Sequence, residues 1–126
     1  MLGVNFMKSP FLDGRERLFE NEVGFVINDN FAVSEGHLLI VPHREYSNYF
    51  ESTKEEFIGL NSLLIEAKNY IEKQFSPDGF NVGINCGETA GQTVMHMHIH
   101  LIPRYTGDVE NPKGGVRGVI PEKQKY

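Results

Sequence analysis

The chain has 126 residues, 40% of them hydrophobic, so we expect a single domain that is long enough to bury a hydrophobic core. Its formal net charge of −5 argues against a nucleic-acid duplex as the main ligand. The single cysteine, Cys86, excludes a framework of disulfides within the chain.

Residues 1–17 mix glycine, proline and charged residues without a clear hydrophobic period, so we expect an N-terminal arm there. Two strands are predicted next, over residues 23–29 and 37–42, because both stretches are rich in apolar and β-branched side chains. Polar residues between the two stretches mark their ends. These strands open a domain that we place at residues 18–106.

One long helix is predicted after these strands. The sequence Ser52-Thr-Lys-Glu55 resembles a capping box, and apolar residues then recur at spacings of three and four. A turn at residues 77–79 leads to a strand over residues 80–86, and a glycine-containing turn joins that strand to a last one. The elements predict an α+β fold, in which an antiparallel sheet of about five strands carries one long helix on one face. The predicted core face of the helix comprises Phe57, Leu60, Leu64, Ala67 and Ile71.

The last predicted strand carries His96, His98 and His100 at every second position of an apolar run. Because successive side chains of a strand point to opposite faces, the three imidazoles would share one face at a spacing of about 7 Å. A core strand with three polar rings needs a partner for each, since an unpaired buried polar group costs roughly 1–3 kcal/mol. A purely structural role for the three histidines therefore carries a free-energy cost unless each ring has a partner. The opposite face would hold Met95, Met97, Ile99 and Leu101.

Two chemical roles remain for the three imidazoles. Either they bind a metal such as zinc through neutral ring nitrogens, or one of them attacks a phosphorus centre while its neighbours handle protons and charge. Residues 85–93 favour the second role, because Gly87 and Gly91 allow main-chain N–H groups to approach a phosphate. No Asp, Glu or Cys cluster accompanies the histidines in the sequence, although His37 is available to complete a zinc site.

Residues 91–104, Gly-Gln-Thr-Val-Met-His-Met-His-Ile-His-Leu-Ile-Pro-Arg, resemble the motif of the histidine-triad (HIT) superfamily, His-φ-His-φ-His-φ-φ with φ apolar. The resemblance extends upstream through residues 25–29 and 34–42, so it covers most of residues 18–106. The third position of this motif is histidine here and glutamine in a variant form. The form with three histidines resembles the branches of nucleoside phosphoramidases and fragile-histidine-triad-like dinucleoside polyphosphate hydrolases. Residues 111–121 resemble the tail of a microbial branch described as diadenosine tetraphosphate hydrolase-like.

The resemblance implies the histidine-triad fold and cleavage at the α-phosphate of purine nucleotide derivatives, such as diadenosine tetraphosphate or nucleoside phosphoramidates, with release of AMP. It implies that His98 is the nucleophile, which forms a nucleotidyl-histidine intermediate, and that His96 and His100 hold phosphate oxygens. It further implies a substrate-binding set: Asp29 on the ribose hydroxyls, His37 beside the triad, and Asn85, Gln92 and Thr93 around the phosphate and leaving group. Asp29 fits a simple turn residue almost as well.

Two other functions stay open: a nucleotide-binding adaptor with little turnover, and a zinc protein that uses the histidine cluster. Residues 107–126 form a basic, glycine-containing tail, which is either solvated or reaches a polyphosphate leaving group through Lys113 or Arg117. We expect no tightly bound cofactor and no protein-held metal, and Mg²⁺ that accompanies the substrate is left open.

The expected partners are a purine mononucleotide or dinucleotide and a second copy of the chain, because a small domain gains from dimerisation and the family likeness supports a homodimer. No signal peptide is evident, and no apolar run approaches the roughly 20 residues that a membrane span requires. We therefore expect a cytoplasmic protein that makes no membrane contact.

Overall fold

The computed structural model of the protein describes residues 9–126, so the first eight residues of the predicted arm lie outside the described residues. A five-stranded antiparallel sheet and one α-helix confirm the predicted α+β fold. The order across the sheet is β1-β2-β3-β5-β4. The strands are β1 (Phe19–Glu20), β2 (Gly24–Asn28), β3 (Leu38–Pro42), β4 (Gly79–Gly83) and β5 (Ile99–Arg104), and α1 spans Lys54–Phe75.

The helix α1 begins at a capping box that lies one residue later than predicted. The hydroxyl of Thr53 accepts a hydrogen bond from the N–H of Glu56, whose carboxylate in turn accepts one from the N–H of Thr53. The hydroxyl of Ser52 instead bonds to that of Tyr46 at 2.7 Å. Both registers fit the Ser/Thr-x-x-Glu pattern, but Arg44 pairs with the Glu56 carboxylate at 2.7 Å and so favours the later one.

One face of the sheet packs against α1 and forms the main core. The helix buries Leu63 where the sequence pattern predicted Leu64, which lies only partly buried at the edge of this core. Phe57 also lies at the edge, with 38% of its surface exposed. The rest of the predicted stripe is confirmed, and it packs against alternate residues of three strands. The central contacts join Leu60, Ala67 and Ile71 to Val26, Leu38, Ile40, Ile99 and Leu101.

The N-terminal segment, residues 9–15, packs over part of the opposite face of the sheet, against β2 and β3. Its short 3₁₀ helix, Pro10–Leu12, buries Phe11 in a second cluster of apolar residues. Strands β2 and β3 are therefore buried on both faces, which explains why they read as continuous apolar runs instead of alternating ones. The second cluster comprises Phe11, Phe25, Ile27, Leu39 and Val41.

The predicted histidine strand is shorter than expected, because β5 begins only at Ile99. Continuing the β3–β5 register would place Met97 opposite Pro42, which has no N–H to donate. The N–H of Met97 instead donates to the carbonyl of Tyr46 at 2.7 Å. The alternation of faces persists through this segment, with Met97 buried against the helix side, but Met95 is 47% exposed and does not join the core.

Strand β4 pairs with β5 as predicted, with Gly83 opposite His100, although it ends three residues earlier than expected. Residues 84–98 form the connection, which contains the 3₁₀ helix Glu88–Ala90. The tail forms two further 3₁₀ helices, Gly115–Val119 and Pro121–Lys123. Within residues 9–126, no helix combines the length and apolar character needed to cross a membrane.

Candidate functional site

A cleft of about 570 Å³ opens on the sheet face that lies opposite α1. Histidines of the triad segment form its base, the glycine-containing loop forms one side, and the N-terminal segment forms the other. The loop that follows β2 closes the remaining side. Five of the predicted site residues line this cleft: Asp29, Asn85, Thr93, His98 and His100.

The ring of His98 is held in one orientation. Its Nδ1–H donates a 2.8 Å hydrogen bond to the main-chain carbonyl of His96. A neutral imidazole that donates through Nδ1 keeps a lone pair on Nε2. The ring of Phe11 packs against this ring in a T-shaped arrangement with a centroid separation of 4.8 Å. The bond to His96 thus fixes the tautomer of neutral His98 with its lone pair on Nε2, which is the form of imidazole that acts as a nucleophile.

His100, which lines the cleft, forms a hydrogen-bonded pair with His37, which lies behind it. Nδ1 of His37 accepts a hydrogen bond from the N–H of Val33 at 3.1 Å, so the ring proton of neutral His37 lies on Nε2. That Nε2–H faces Nδ1 of His100 at 3.0 Å and a carboxylate oxygen of Asp29 at 3.2 Å. Nδ1 of His100 is therefore an acceptor, and its ring proton lies on Nε2. The two histidines that line the cleft differ in hydrogen-bonding character: His98 presents a lone pair and His100 presents an N–H donor.

The histidines around His98 are held neutral. Burial and the nearby imidazoles of His98 and His37 together lower the pKa of His100 to about 4, against the opposing charge of Asp29. Burial also lowers the pKa of His37, again opposed by Asp29, and the pKa of His96. At neutral pH His100 therefore supplies an N–H dipole to the cleft, while His37 and His96 are neutral and lie outside its lining.

His96 does not line the cleft. It is fully buried, and both ring nitrogens bond to protein groups: Nε2 lies 2.8 Å from the carbonyl of Pro42 and Nδ1 lies 2.7 Å from the hydroxyl of Ser9. With both nitrogens engaged, the ring cannot also contact a phosphate, so this placement corrects the predicted contact. His96 anchors the main chain whose carbonyl orients His98.

Two residues predicted to contact substrate have structural positions instead. Gln92 is buried, and its side chain accepts from the N–H of Gly87 and donates to the carbonyls of Ser47 and Val94. It therefore fixes the glycine-containing loop from behind. His37 is 3% exposed and lies behind His100, so it also acts through another residue.

The N-terminal segment supplies cleft residues that were not predicted from the sequence. Phe11 packs on His98, and the guanidinium of Arg15 joins the carbonyls of Pro10 and Asn28 while pairing with Asp13 at 2.9 Å. These contacts fasten the segment to the end of β2. No periodicity or motif marks residues 9–15 as part of a site, so only the spatial arrangement reveals them.

The basic residues of the tail do not line the cleft of their own chain. The guanidinium of Arg117 donates to the main-chain carbonyls of Lys123 and Gln124. Arg117 and Lys113 also lie over the ring of Tyr126, at 4.9 and 4.8 Å from its centroid. The contacts of these two cations therefore stay within the tail and hold its residues together.

The geometry also allows a test of the zinc alternative. Asp29, His37 and His100 place one oxygen and two nitrogens at separations of 3.0, 3.2 and 3.7 Å, close to the roughly 3.3 Å expected between ligands of a tetrahedral ion. However, a metal on Nε2 of His37 would require the proton on Nδ1, where the N–H of Val33 already donates. The donor set fits a hydrogen-bonded relay better than a metal centre.

The fold and the imidazole cluster together define a class of small α+β proteins in which a histidine segment runs into the central sheet beside a cleft. The family model described as HIT domain matches residues 14–107. The chain therefore belongs to the HIT domain family, as the resemblance implied.

Named relatives include enzymes that act on dinucleotides. The chain is 38% identical over 96 residues to the bis(5'-adenosyl)-triphosphatase of Dictyostelium discoideum, an alignment that covers 76% of this chain and 64% of that protein. It is 32% identical over 100 residues to the asymmetrical bis(5'-nucleosyl)-tetraphosphatase of Schizosaccharomyces pombe, covering 79% of this chain and 55% of that one. The matched region thus spans less than two thirds of each of these relatives.

Solved structures agree with this assignment. A HIT family protein from Bacillus anthracis superposes with a TM-score of 0.70 at 38% identity, covering 73% of this chain and 65% of that one. A zinc-bound histidine triad family protein from Mycobacterium smegmatis gives a TM-score of 0.67 at 30% identity, covering 73% of this chain and 67% of that one. The sheet and helix described above are therefore the fold of the family.

Proposed function

We propose that the protein hydrolyses purine nucleotide derivatives at the α-phosphate, with His98 as the nucleophile. The observation that carries the proposal is the 2.8 Å bond from Nδ1–H of His98 to the carbonyl of His96, which leaves the Nε2 lone pair for attack. The names of the Dictyostelium and Schizosaccharomyces relatives support a dinucleoside polyphosphate as substrate.

The reaction has two steps. In the first, Nε2 of His98 forms a bond to the α-phosphorus, the bond from phosphorus to the leaving group breaks, and the leaving group takes the electron pair. The Nε2–H of His100 donates a hydrogen bond to the departing group or to a phosphate oxygen, where negative charge develops. In the second step, water attacks phosphorus, the N–P bond breaks with its electron pair returning to Nε2, one proton of the water passes to solvent, and AMP and neutral His98 result.

Three further residues have proposed contacts with the substrate. Asn85 and Thr93 line the cleft and supply neutral polar groups beside the phosphate. One oxygen of Asp29 accepts from the N–H of Phe31 at 2.8 Å, and the other lies near His37. Because a carboxylate has about four lone-pair sites, Asp29 retains capacity for the ribose hydroxyls.

A His98→Ala variant tests this proposal. Wild-type protein is expected to release AMP from diadenosine tetraphosphate and from adenosine phosphoramidate, and the variant is expected to be slower by at least about a thousandfold. His43→Ala, which changes a histidine outside the cleft, is the matched control and should keep wild-type activity. Equal AMP release by His98→Ala and wild type would refute the nucleophile. Nucleotide binding without turnover by wild type would favour the adaptor function.

We also propose that no cofactor is tightly bound and that Mg²⁺ enters only with a polyphosphate substrate. Metal analysis of untagged protein tests this statement, since stoichiometric zinc would support the zinc alternative instead. The predicted cytoplasmic location stays a prediction.

We propose a homodimer that forms at the free edge of β4. Within residues 9–126, β4 lies at one end of the sheet and pairs only with β5. An apolar groove of about 550 Å³ adjoins this edge on the helix side, where Val82 is 46% and Ile58 61% exposed. Unpaired strand edges and contiguous apolar surface both favour association, and a second copy of the chain presents the same edge and groove.

A further inference from the structure

A second cavity lies beside the catalytic cleft on the same face of the sheet. Its volume is about 550 Å³, and it is bordered by strands β4 and β5, the loop after β2 and the C-terminal residues. We call it the tail cavity. Its walls include Asn81, Ile102, Arg104, Val109, Asn111 and Gln124.

The tail cavity continues the line of the catalytic histidines. Alternate residues of β5 face the same side, so His100 lines the cleft whereas Ile102 and Arg104 line the tail cavity. At a rise of about 3.3 Å per residue, these two positions lie roughly 7 and 13 Å beyond His100. The loop after β2 also borders both spaces, because Asn30 lines the cleft and Val33 lines the tail cavity. A ligand that extends from the α-phosphate along the direction of β5 points toward this space.

The charges around the tail cavity cancel. The guanidinium of Arg104 donates to both carboxylate oxygens of Asp108, at 2.7 and 2.8 Å, and to the side-chain oxygen of Asn81. Glu110 and Lys125 add one charge of each sign. A polyphosphate gains little from such walls. A neutral ligand with a planar apolar body and polar edges suits them better, and the volume falls in the range of small-molecule sites.

The outer wall of the tail cavity is a folded structure that depends on a specific glycine. Gly114 has φ of +88°, and a Cβ there would lie only 1.9 Å from the carbonyl oxygen of Gln124. The side chain of Gln124 in turn donates to the carbonyl of Lys113 at 3.2 Å, and Arg117 donates to the carbonyl of Gln124. The glycine-containing segment of the basic tail thus builds this wall.

We propose that the tail cavity binds the nucleoside of the leaving group, so that a dinucleoside polyphosphate is held at both ends. The inference rests on the proposed function, because it requires the α-phosphate of the first nucleotide to lie at His98. The first nucleoside occupies the cleft, the phosphate chain passes His100, and the second nucleoside fills the tail cavity.

The test compares two substrates that differ only in the second nucleoside: diadenosine tetraphosphate and adenosine 5′-tetraphosphate. Val109→Trp places an indole in the tail cavity, and Val119→Trp is the matched control because Val119 lies in the tail outside it. Val109→Trp is expected to raise KM for diadenosine tetraphosphate about tenfold, which corresponds to a loss of about 1.4 kcal/mol of binding, and to leave KM for adenosine 5′-tetraphosphate unchanged. The control should change neither value.

An equal change for both substrates, or none for diadenosine tetraphosphate, would overturn the inference. If Val109→Trp does not fold, Glu110→Trp decides the question, with the exposed Glu122→Trp as its control. Failure of wild-type protein to cleave either substrate would instead contradict the proposed function, so the two failures are distinguishable.

Discussion

The Nδ1–H of His98 points back at the carbonyl of His96, two residues earlier in the same chain, at a distance of 2.8 Å. This short-range bond decides which nitrogen of His98 is free. The ring of His37 has the opposite arrangement, because its Nδ1 accepts from the N–H of Val33. Neighbouring imidazoles are thus held in different tautomers by main-chain groups.

The first prediction concerns these tautomers. In ¹⁵N NMR spectra at pH 7.5, we expect neutral His98 to carry its proton on Nδ1, and neutral His37 and His100 to carry theirs on Nε2. Long-range ¹H–¹⁵N correlations distinguish the two forms, and single His→Gln variants assign each ring. A proton on Nε2 of His98 would contradict the assigned nucleophile orientation.

The second prediction is a loss of stability in mild acid. In the unfolded chain a histidine takes up a proton near pH 6.5, whereas burial holds the pKa of His100 in the folded protein at about 4. The unfolded state therefore binds more protons between these values. The contribution of His100 is fully present above about pH 6.5 and falls as pH drops, by up to roughly 1.4 kcal/mol per unit, until it is lost below about pH 4.

Urea unfolding at pH 7.5, 6.0 and 5.0 measures this effect. His100→Gln should reduce the slope of unfolding free energy against pH, and His43→Gln controls for the loss of a histidine outside the cleft. His37 and His96 contribute in the same direction, since burial lowers their pKa values too. An unchanged slope in His100→Gln would show that this ring is not held neutral by the fold.

The third prediction concerns the contact between the N-terminal segment and the triad. Ser9→Ala removes the hydroxyl that lies 2.7 Å from Nδ1 of the fully buried His96. The unpaired nitrogen should cost roughly 1–3 kcal/mol of unfolding free energy. Ser62→Ala, on the exposed surface of α1, is the matched control and should stay within about 0.5 kcal/mol of wild type. Equal stability of the two variants would argue against this bond.

The fourth prediction tests the dimer. Val82→Glu places a carboxylate in the apolar groove beside the β4 edge, and burying an unpaired charge there should abolish association. Light scattering after size-exclusion chromatography should report a dimer for wild type and a monomer for the variant. Val119→Glu, an exposed tail position, should remain dimeric. A monomeric wild type, or a Val82→Glu dimer, would refute this interface.

Much of the fold follows from local sequence signals. Strands β2 and β3 and helix α1 lie within a few residues of their predicted bounds, because apolar clustering and helical spacing report burial directly. Helix α1 starts one residue later than predicted, because two overlapping capping boxes fit the sequence. The pairing of Arg44 with Glu56 favours the later of the two. Long-range contacts of this kind leave no mark on a local pattern.

The site was predicted in outline, and the structure changes the placement of several residues. The His-φ-His-φ-His segment locates His98 and His100, but alternation alone cannot show that Ser9 and Pro42 occupy both nitrogens of His96. Nor can it show that Gln92 turns away from the cleft to hold its own loop. Phe11 was missed because an isolated phenylalanine before the first strand carries no periodic signal.

Main-chain atoms fix the tautomers of the histidines at the site. The carbonyl of His96 orients His98, the N–H of Val33 sets the tautomer of His37, and the carbonyl of Pro42 binds His96. A side-chain substitution cannot delete a carbonyl or an amide, so these three contacts survive changes of residue type as long as the backbone path is kept. The chemistry of the site is thereby protected against mutational drift, and an alanine scan would pass over Val33 without revealing that its amide takes part.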